Sequence, residues 1–380
     1  MNSHIEREKI NEFSLWETYK TRRKLHTVMF EITERCNFDC RHCYINQPAG
    51  DRKRQHDEMS LEFISDVADQ AIELGAMNCL LTGGEPLLRK DFKEVYLALK
   101  RKGLLVILFT NAALLTQEHV DLLKSYPPFA LEVTMYGATR ETFERVTRCP
   151  GSFQQFKHGL ELLSGNGIKV RLKAMALQSN LHEMQQIAAF ARQYTEDYYR
   201  FDPQLHLRYD FDPERNEMIK SERLTPSQIV ELENQDDQRR EALADNCHKY
   251  VYSSPDRKTS FIINCGAGNG SVVVAYNGIL KLCPSMVQPE FMYDLKTGTL
   301  TDAWHRFIPE VRKATTMNPE YLERCNNCGI INLCTWCAAH AYLETGKSDQ
   351  PVDYFCRVAH ARARNVEKLK EIHDQADHCK

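Results

Sequence analysis

The chain has 380 residues, and its 49 Lys and Arg against 52 Asp and Glu give a formal net charge of −3. This balance excludes the global basic field of nucleic-acid-binding proteins, so we expect no nucleic-acid partner. The length allows a full core and two domains. The longest apolar runs, such as residues 103–109, are strand-sized and too short for a membrane span, so we expect no membrane partner.

The sequence contains 14 cysteines, and its first 25 residues are polar and mixed in charge, unlike a signal peptide. Cysteines in a chain without such a leader favour metal binding over disulfides. We therefore expect a cytoplasmic protein whose thiols hold metal.

From residue 27 onward, short apolar runs alternate with amphipathic ones. The helices predicted between the strands span residues 60–74, 91–102, 116–124, 152–163 and 181–193. The strands are predicted over residues 27–34, 78–83, 104–111, 130–137, 169–177 and, as a sixth, 204–211. This order predicts βαβ units and a parallel sheet. In parallel barrels the chemistry lies at the C-terminal ends of the strands.

The pattern changes near residue 225, where a polar, helical stretch follows. We interpret it as a connector between two domains. The expected organisation is an N-terminal extension, an α/β barrel domain, the connector and a cysteine-rich domain, over residues 1–25, 26–224, 225–250 and 251–380.

Three cysteines, Cys36, Cys40 and Cys43, follow the first predicted strand in the run CNFDCRHCY. Three thiolates can bind three irons of a four-iron cube, which leaves the fourth iron open to another ligand. A zinc site would need a fourth ligand, and His42, wedged between two of the cysteines, would make a poor tetrahedron. The spacing therefore favours an iron–sulfur cluster with an open iron.

A second motif, Gly83-Gly84-Glu85-Pro86, follows the second predicted strand. Glycines at the C-terminal end of a parallel strand let backbone groups approach a ligand closely. An ordinary strand-to-helix turn is the alternative. However, the motif ends the first strand predicted after the three cysteines, and this position favours a binding loop.

Seven further cysteines lie between residues 265 and 356. Two C-x2-C pairs within this region are separated by only five residues, whereas a zinc ribbon separates its pairs by roughly 15. Such close spacing favours iron–sulfur clusters. Cys79 and Cys149 are expected to be structural, and Cys379 is assigned no role.

The C-x3-C-x2-C spacing together with GGEP resembles the radical S-adenosylmethionine (SAM) superfamily. The resemblance implies an α/β fold, a partial (β/α)6 TIM-like barrel followed here by a small cysteine-rich α+β domain. It also implies a [4Fe-4S] cluster on Cys36, Cys40 and Cys43 whose open iron binds SAM. One electron from such a cluster cleaves SAM to methionine and a 5′-deoxyadenosyl radical.

The resemblance further implies contacts to SAM. The loop of Gly83, Gly84, Glu85 and Pro86 would bind the amino group of its methionine, and His42 would lie near the adenine. Thr134 is expected near the ribose or the carboxylate. Lys173, a lone charge in an apolar run, is a candidate partner for the carboxylate, with Arg145 or Arg148 as alternatives.

The second group of cysteines resembles the SPASM domain, a C-terminal extension of radical SAM proteins that carries two auxiliary [4Fe-4S] clusters. The chain departs from the family pattern at Cys334 and Cys337, which two residues separate instead of three. The proximal cluster would lack one thiolate, which Cys247 could supply; we slightly favour an open iron instead. The resemblance assigns Cys325, Cys328, Cys334 and Cys356 to the distal cluster, and Cys265, Cys283 and Cys337 to the proximal one.

Most SPASM members modify peptides or proteins, and a minority act on small molecules such as aminoglycosides or tetrapyrroles. We therefore expect a peptide- or protein-maturing enzyme that forms a crosslink or oxidises a side chain, with small-molecule oxidoreduction as the alternative. Besides the substrate, the expected partner is a one-electron donor of the flavodoxin or ferredoxin type. The family's recognition domain does not fit into the 25 residues before the barrel. A peptide would therefore need a separate recognition protein, or the barrel itself would have to bind it, and this favours the small-molecule alternative. A non-enzymatic iron–sulfur scaffold would explain the second group of cysteines but neither GGEP nor the first three.

Overall fold

The computed structural model describes residues 23–195, 200–237, 239–241 and 260–377. Within these residues, the main sheet includes a run of six parallel strands that neighbour one another in chain order. They are β1 Thr27–Glu31, β2 Asn78–Thr82, β3 Leu105–Thr110, β4 Ala130–Met135, β5 Arg171–Met175 and β6 Arg200–Asp202. This parallel sheet with intervening helices confirms the predicted α/β fold of a partial barrel.

Helices connect these strands, and several begin at the caps that the sequence provides. The Ser60 hydroxyl accepts a hydrogen bond from the Phe63 amide at the start of α2, and Thr116 forms a capping box with His119 at the start of α4. The helices of this part are α1 Arg52–Asp57, α2 Leu61–Glu73, α3 Phe92–Arg101, α4 Gln117–Ser125, α5 Arg140–Thr147, α6 Ser152–Gly165, α7 Met184–Ala191, α8 Pro213–Glu222 and α9 Pro226–Asn234.

The two faces of the parallel strands differ in character. Val28, Cys79 and Val106 are partners in register and are fully buried, so Cys79 belongs to the hydrophobic core. On the alternate face, Thr134 and Lys173 are partners in register and are only partly buried. Because side chains alternate across a strand, the polar set lies on one face of the sheet, which we assign to the inside of the partial barrel.

The C-terminal region continues the same sheet beyond β1. Strand β7, Ser271–Val274, pairs in parallel with β1, and β8, Ile279–Lys281, pairs antiparallel with β7 and with β9, Tyr293–Asp294. The cysteine-rich region is therefore hydrogen-bonded directly to the barrel. Its helices are α10 (300–311), α11 (319–326), α12 Ala338–Thr345 and α13 Asp353–Asp377.

The prediction of a sixth strand over residues 204–211 is wrong. The sixth strand is Arg200–Asp202, and the chain leaves the ladder at Pro203, which has no amide hydrogen to donate. The residues beyond it contact the cysteine loop instead. Helices α1, α5 and α8 were not predicted.

Helix α9 occupies the first part of the predicted connector, whereas Cys247 lies outside the described residues. Over the part of the chain that the structure describes, no helix is long and apolar enough to cross a membrane.

Candidate active site

The loop that carries Cys36, Cys40 and Cys43 begins where β1 ends. Cys36 belongs to a short parallel pair in which Arg35–Cys36 lies beside Gln47–Pro48, so this pair closes the loop. The Phe38 amide donates to Cys36 Sγ at 3.4 Å, and the Asn46 amide donates to Cys43 Sγ at 3.3 Å. Amide hydrogen bonds to sulfur are among the features that tune iron–sulfur clusters.

The GGEP loop packs directly on the strand extension that leads to Cys36. The Gly84 amide donates to the Thr33 carbonyl at 2.7 Å, and the Glu85 amide donates to the Arg35 carbonyl at 2.8 Å. A Cβ atom at Gly83 would overlap the Thr33 carbonyl oxygen, and one at Gly84 would overlap that of Arg35. The glycines are therefore required for the close approach of two backbone segments beside the cysteine loop.

Glu85 is fully buried and ties the ends of β2 and β3 together. One carboxylate oxygen accepts from the Thr110 hydroxyl at 2.8 Å and from the Leu87 amide at 3.1 Å, and the other accepts from the Asn111 amide at 2.8 Å. Burial raises the pKa of Glu85 to about 7, against the effect of these hydrogen bonds. Glu85 thereby fixes the backbone position of Asn111.

Asn111 in turn reaches the cysteine loop. Its amide group donates to Asn37 Oδ1 at 2.8 Å and lies 3.8 Å from Cys36 Sγ. The next residue, Ala112, has a φ of 64°, a conformation that a residue with a Cβ adopts rarely. The sequence placed Asn111 at a strand end but gave no sign of this contact.

The three thiols form one electrostatic group. Burial raises the pKa of Cys36, Cys40 and Cys43, and for Cys36 and Cys40 a neighbouring cysteine of the group raises it further. Ionisation of all three therefore needs a cation among them, and metal binding would deprotonate them outright. A ferrous–ferric cluster supplies that charge, so the donor set fits an iron–sulfur cluster.

A single-ion site does not fit as well. Within the described ranges, no three His, Cys, Asp or Glu side chains converge closely enough to hold one metal ion. The cysteines of a four-iron cube each bind a different iron, so they need not converge on one atom.

The other predicted SAM contacts lie around this strand end. His42 packs against Tyr136 with ring centroids 5.3 Å apart, its buried Nδ1 has no hydrogen-bond partner among the described residues, and burial lowers its pKa to about 4. Thr134 lies on the inner face of β4. These placements are compatible with the predicted contacts, which remain predictions.

Lys173 has a protein partner in the structure. Its ammonium lies 3.0 Å from Glu132 Oε2 and 3.1 Å from the centre of the Phe109 ring. A SAM carboxylate would therefore compete with Glu132 for this charge. Of the alternatives, Arg145 pairs with Glu141 on the surface, and Arg148 pairs with Asp39.

The structure brings together the cysteines predicted to bind the proximal auxiliary cluster. Cys265, Cys283 and Cys337 line a cavity of about 280 Å³. Burial raises the pKa of Cys337 to about 12, and Cys283 and Cys265 add to that rise. Cys334, which is predicted to bind the distal cluster, also borders this cavity, so the assignment of ligands to the proximal cluster remains a prediction.

The cysteines predicted to bind the distal cluster meet in a second, smaller cavity. Cys325, Cys328, Cys334 and Cys356 line a space of about 40 Å³. Burial raises the pKa of Cys325 to about 11 and of Cys334 to about 12, with further increases from neighbouring cysteines of the same group. Cys334 and Trp336 border both cavities, so the two sites are adjacent.

A larger cavity of about 650 Å³ lies at the opposite end of the barrel. It is lined by the segments that precede β4 and β5, including Phe129 and Lys169. Among the residues that the structure describes, no cysteine borders it. The chemistry of parallel barrels lies at the C-terminal strand ends, so we do not assign this cavity to the reaction.

An α/β partial barrel with an open cysteine trio at the end of its first strand, beside a GGEP loop, defines the radical SAM class. Residues 30–191 match the family model described as the Radical SAM superfamily. The matched residues belong to the Radical SAM superfamily, as the sequence predicts. Membership implies SAM and a [4Fe-4S] cluster as cofactors.

Two curated relatives differ in the chemistry that their names describe. An AdoMet-dependent heme synthase of Methanosarcina barkeri is 24% identical over 343 residues, which cover 84% of this chain and 93% of that protein. The antilisterial bacteriocin subtilosin biosynthesis protein AlbA of Bacillus subtilis is 26% identical over 270 residues, 68% of this chain and 54% of that protein.

Solved structures share the fold across both halves of the chain. Streptococcus suis SuiB bound to its precursor peptide SuiA has a TM-score of 0.67 at 12% identity, over 94% of this chain and 84% of that one. The anSMEcpe structure with bound AdoMet and the Cp18Cys peptide has a TM-score of 0.63 at 14% identity, over 93% of this chain and 99% of that one.

Proposed function

We propose that this enzyme matures a peptide or protein substrate. The bound cofactors would supply a 5′-deoxyadenosyl radical by reductive cleavage of SAM, and this radical would abstract a hydrogen atom from the substrate. The substrate radical would then be oxidised to a crosslink or an unsaturated side chain. The proposed electron donor for SAM cleavage is a protein of the flavodoxin or ferredoxin type.

The observation that carries the proposed oxidation is the pair of adjacent cysteine-lined cavities beside the barrel. Two auxiliary [4Fe-4S] clusters, one on Cys265, Cys283 and Cys337 and one on the distal four cysteines, would supply a sink for the electron removed from the substrate. The proximal cavity is also bordered by apolar side chains such as Ile262 and Met286, which limit the access of water. AlbA and the peptide-bound structures support a peptide substrate by likeness.

A tetrapyrrole is the second candidate substrate. The heme synthase of M. barkeri aligns with 84% of this chain, more than AlbA does. Radical oxidation of a tetrapyrrole would need the same hydrogen abstraction and the same electron sink. The two candidates therefore differ in substrate and share the cofactors.

The experiment that separates them is a substrate-dependent assay of the anaerobically reconstituted enzyme. SAM and a strong reductant are supplied with either Fe-coproporphyrin III or any short peptides that neighbouring genes encode, and both 5′-deoxyadenosine and the modified product are measured. A mass change in a peptide that depends on SAM supports the proposal. Turnover of the tetrapyrrole with inert peptides would replace it with the second candidate.

A further inference from the structure

The cysteine loop is held by two arginines that lie outside the matched family region. Arg208 lies between β6 and α8, in the segment where a strand was predicted, and it is 4% exposed. Its guanidinium donates to the Cys43 carbonyl at 3.3 Å, to the Asn46 carbonyl at 3.3 Å and to Asn46 Oδ1 at 2.9 Å. Nε binds Asp210 Oδ1 at 2.8 Å, which orients the group.

Arg215 lies on the first turn of α8 and contacts the same loop. It donates to the Cys40 carbonyl at 3.3 Å and to Asn46 Oδ1 at 3.1 Å, and it pairs with Asp39. Asn46 is therefore held by both arginines. The backbone amide of Asn46 donates to Cys43 Sγ, so the position of Asn46 determines a hydrogen bond to a predicted cluster ligand.

The segment that carries Arg208 is anchored on both sides of that residue. The Tyr209 amide donates to the Tyr44 carbonyl at 3.3 Å, next to Cys43. His206 hydrogen-bonds Ser285, and Gln204 hydrogen-bonds Thr335, both in the C-terminal region. These contacts fix the backbone that carries the Arg208 guanidinium.

We propose that Arg208 and Arg215 are positioning residues for the iron–sulfur cluster on Cys36, Cys40 and Cys43. They act by fixing Asn46 and the carbonyls of Cys40 and Cys43. This inference rests on the proposed binding of a cluster by these three cysteines. Lysine cannot replace them, because one ammonium cannot reproduce the planar fork that reaches several acceptors at once.

The test compares Arg208→Lys and Arg215→Lys with the wild type and with Arg306→Lys. Arg306 is the matched control, because its side chain is 85% exposed and pairs with Asp302 on the surface. The measurements are the rate of iron loss to a chelator, the electron paramagnetic resonance spectrum with and without SAM, and the midpoint potential of the SAM-responsive cluster.

We expect this cluster in Arg208→Lys to be lost to the chelator about tenfold faster, the usual scale for the loss of an outer ligand contact. The midpoint potential of this cluster should fall, because a weaker hydrogen bond from the Asn46 amide to Cys43 Sγ leaves more electron density on the sulfur. The signals of the auxiliary clusters should not change, and Arg306→Lys should match the wild type.

Wild-type chelation rate, potential and spectrum in both Arg208→Lys and Arg215→Lys would overturn the inference. If Arg208→Lys does not fold, Arg215→Lys alone decides, since its side chain is partly exposed and less critical to the core. A wild-type protein with no cluster on the three cysteines would instead refute the proposed function.

Discussion

Lys281 Nζ lies 2.8 Å from Glu31 Oε2, which joins β8 of the C-terminal region to the end of β1 in the barrel. Both side chains are buried, and Lys281 also donates to the Pro284 carbonyl at 3.2 Å. Pro284 follows Cys283 in the chain. The ion pair therefore fixes a predicted ligand of the proximal cluster relative to the barrel.

Replacing one partner of this pair should be strongly destabilising. Lys281→Met would leave the Glu31 carboxylate buried without its cation, which typically costs about 3–5 kcal/mol. The double variant Glu31→Leu with Lys281→Met should recover much of that loss. Anaerobic chemical denaturation of the cluster-loaded proteins measures both.

The control for this pair is Lys313→Met, which removes a surface pair with Glu310. Such exposed pairs contribute roughly 0–1 kcal/mol. A loss in Lys281→Met no larger than that of the control would show that the buried pair does not hold the two regions together.

Lys173 predicts a pH dependence of stability. Burial lowers its pKa from 10.5 to about 8, although Glu132 opposes that shift. Between about pH 8 and 10.5 the unfolded chain binds more protons at this site than the folded chain, so this site makes the free energy of unfolding rise with pH. Lys173→Met should lack this rise, and the difference between variant and wild type across that range measures it. If the free energies of unfolding of Lys173→Met and the wild type differ by the same amount from pH 7 to 10, the pKa of Lys173 is not lowered. Lys313→Met is the control for removal of a surface lysine.

The distal cysteines should behave as one ligand set. Alanine at Cys325 or Cys356 should each remove one cluster, because four thiolates hold one group, and should reduce solubility since bound metal contributes folding free energy. Iron analysis and visible spectra of the reconstituted variants measure this. Cys149→Ala is the control, since Cys149 borders neither cavity. Unchanged iron in Cys356→Ala would place the last ligand elsewhere.

The proximal cluster should keep its iron in Cys247→Ala, because we expect one of its irons to lack a thiolate. A substrate thiol or amine should then shift its spectrum on binding. Loss or lability of the cluster in this variant would instead identify Cys247 as the fourth ligand, since replacing a thiolate by water exposes an iron to exchange. The first outcome favours direct binding of substrate, and the second favours electron transfer alone.

The sequence predicted the features that are local in the chain. Cys36, Cys40 and Cys43 lie within eight residues and GGEP follows a strand directly, so spacing alone indicated the site. Strands β1 to β5 were predicted within a few residues, because buried parallel strands carry near-continuous apolar runs.

The features it missed depend on contacts between distant residues. Arg208 is 165 residues from Cys43, and Lys281 is 250 residues from Glu31. Residues 204–211 alternate between apolar and polar side chains, and this pattern predicted a strand that would contain Arg208. Only the folded structure shows that the Arg208 guanidinium binds carbonyls of the cysteine loop. The pairing of β7 with β1 is equally non-local, so no periodicity in the sequence could indicate it.

The central claim is that Cys36, Cys40 and Cys43 hold the cluster that cleaves SAM. The most direct measurement is 5′-deoxyadenosine formed by the anaerobically reconstituted protein with SAM and a strong reductant, for the wild type and for the variant with all three cysteines replaced by alanine. The account predicts product from the wild type and none from the variant, which keeps its auxiliary clusters. Product from the variant, or none from a wild type with full clusters, would contradict it.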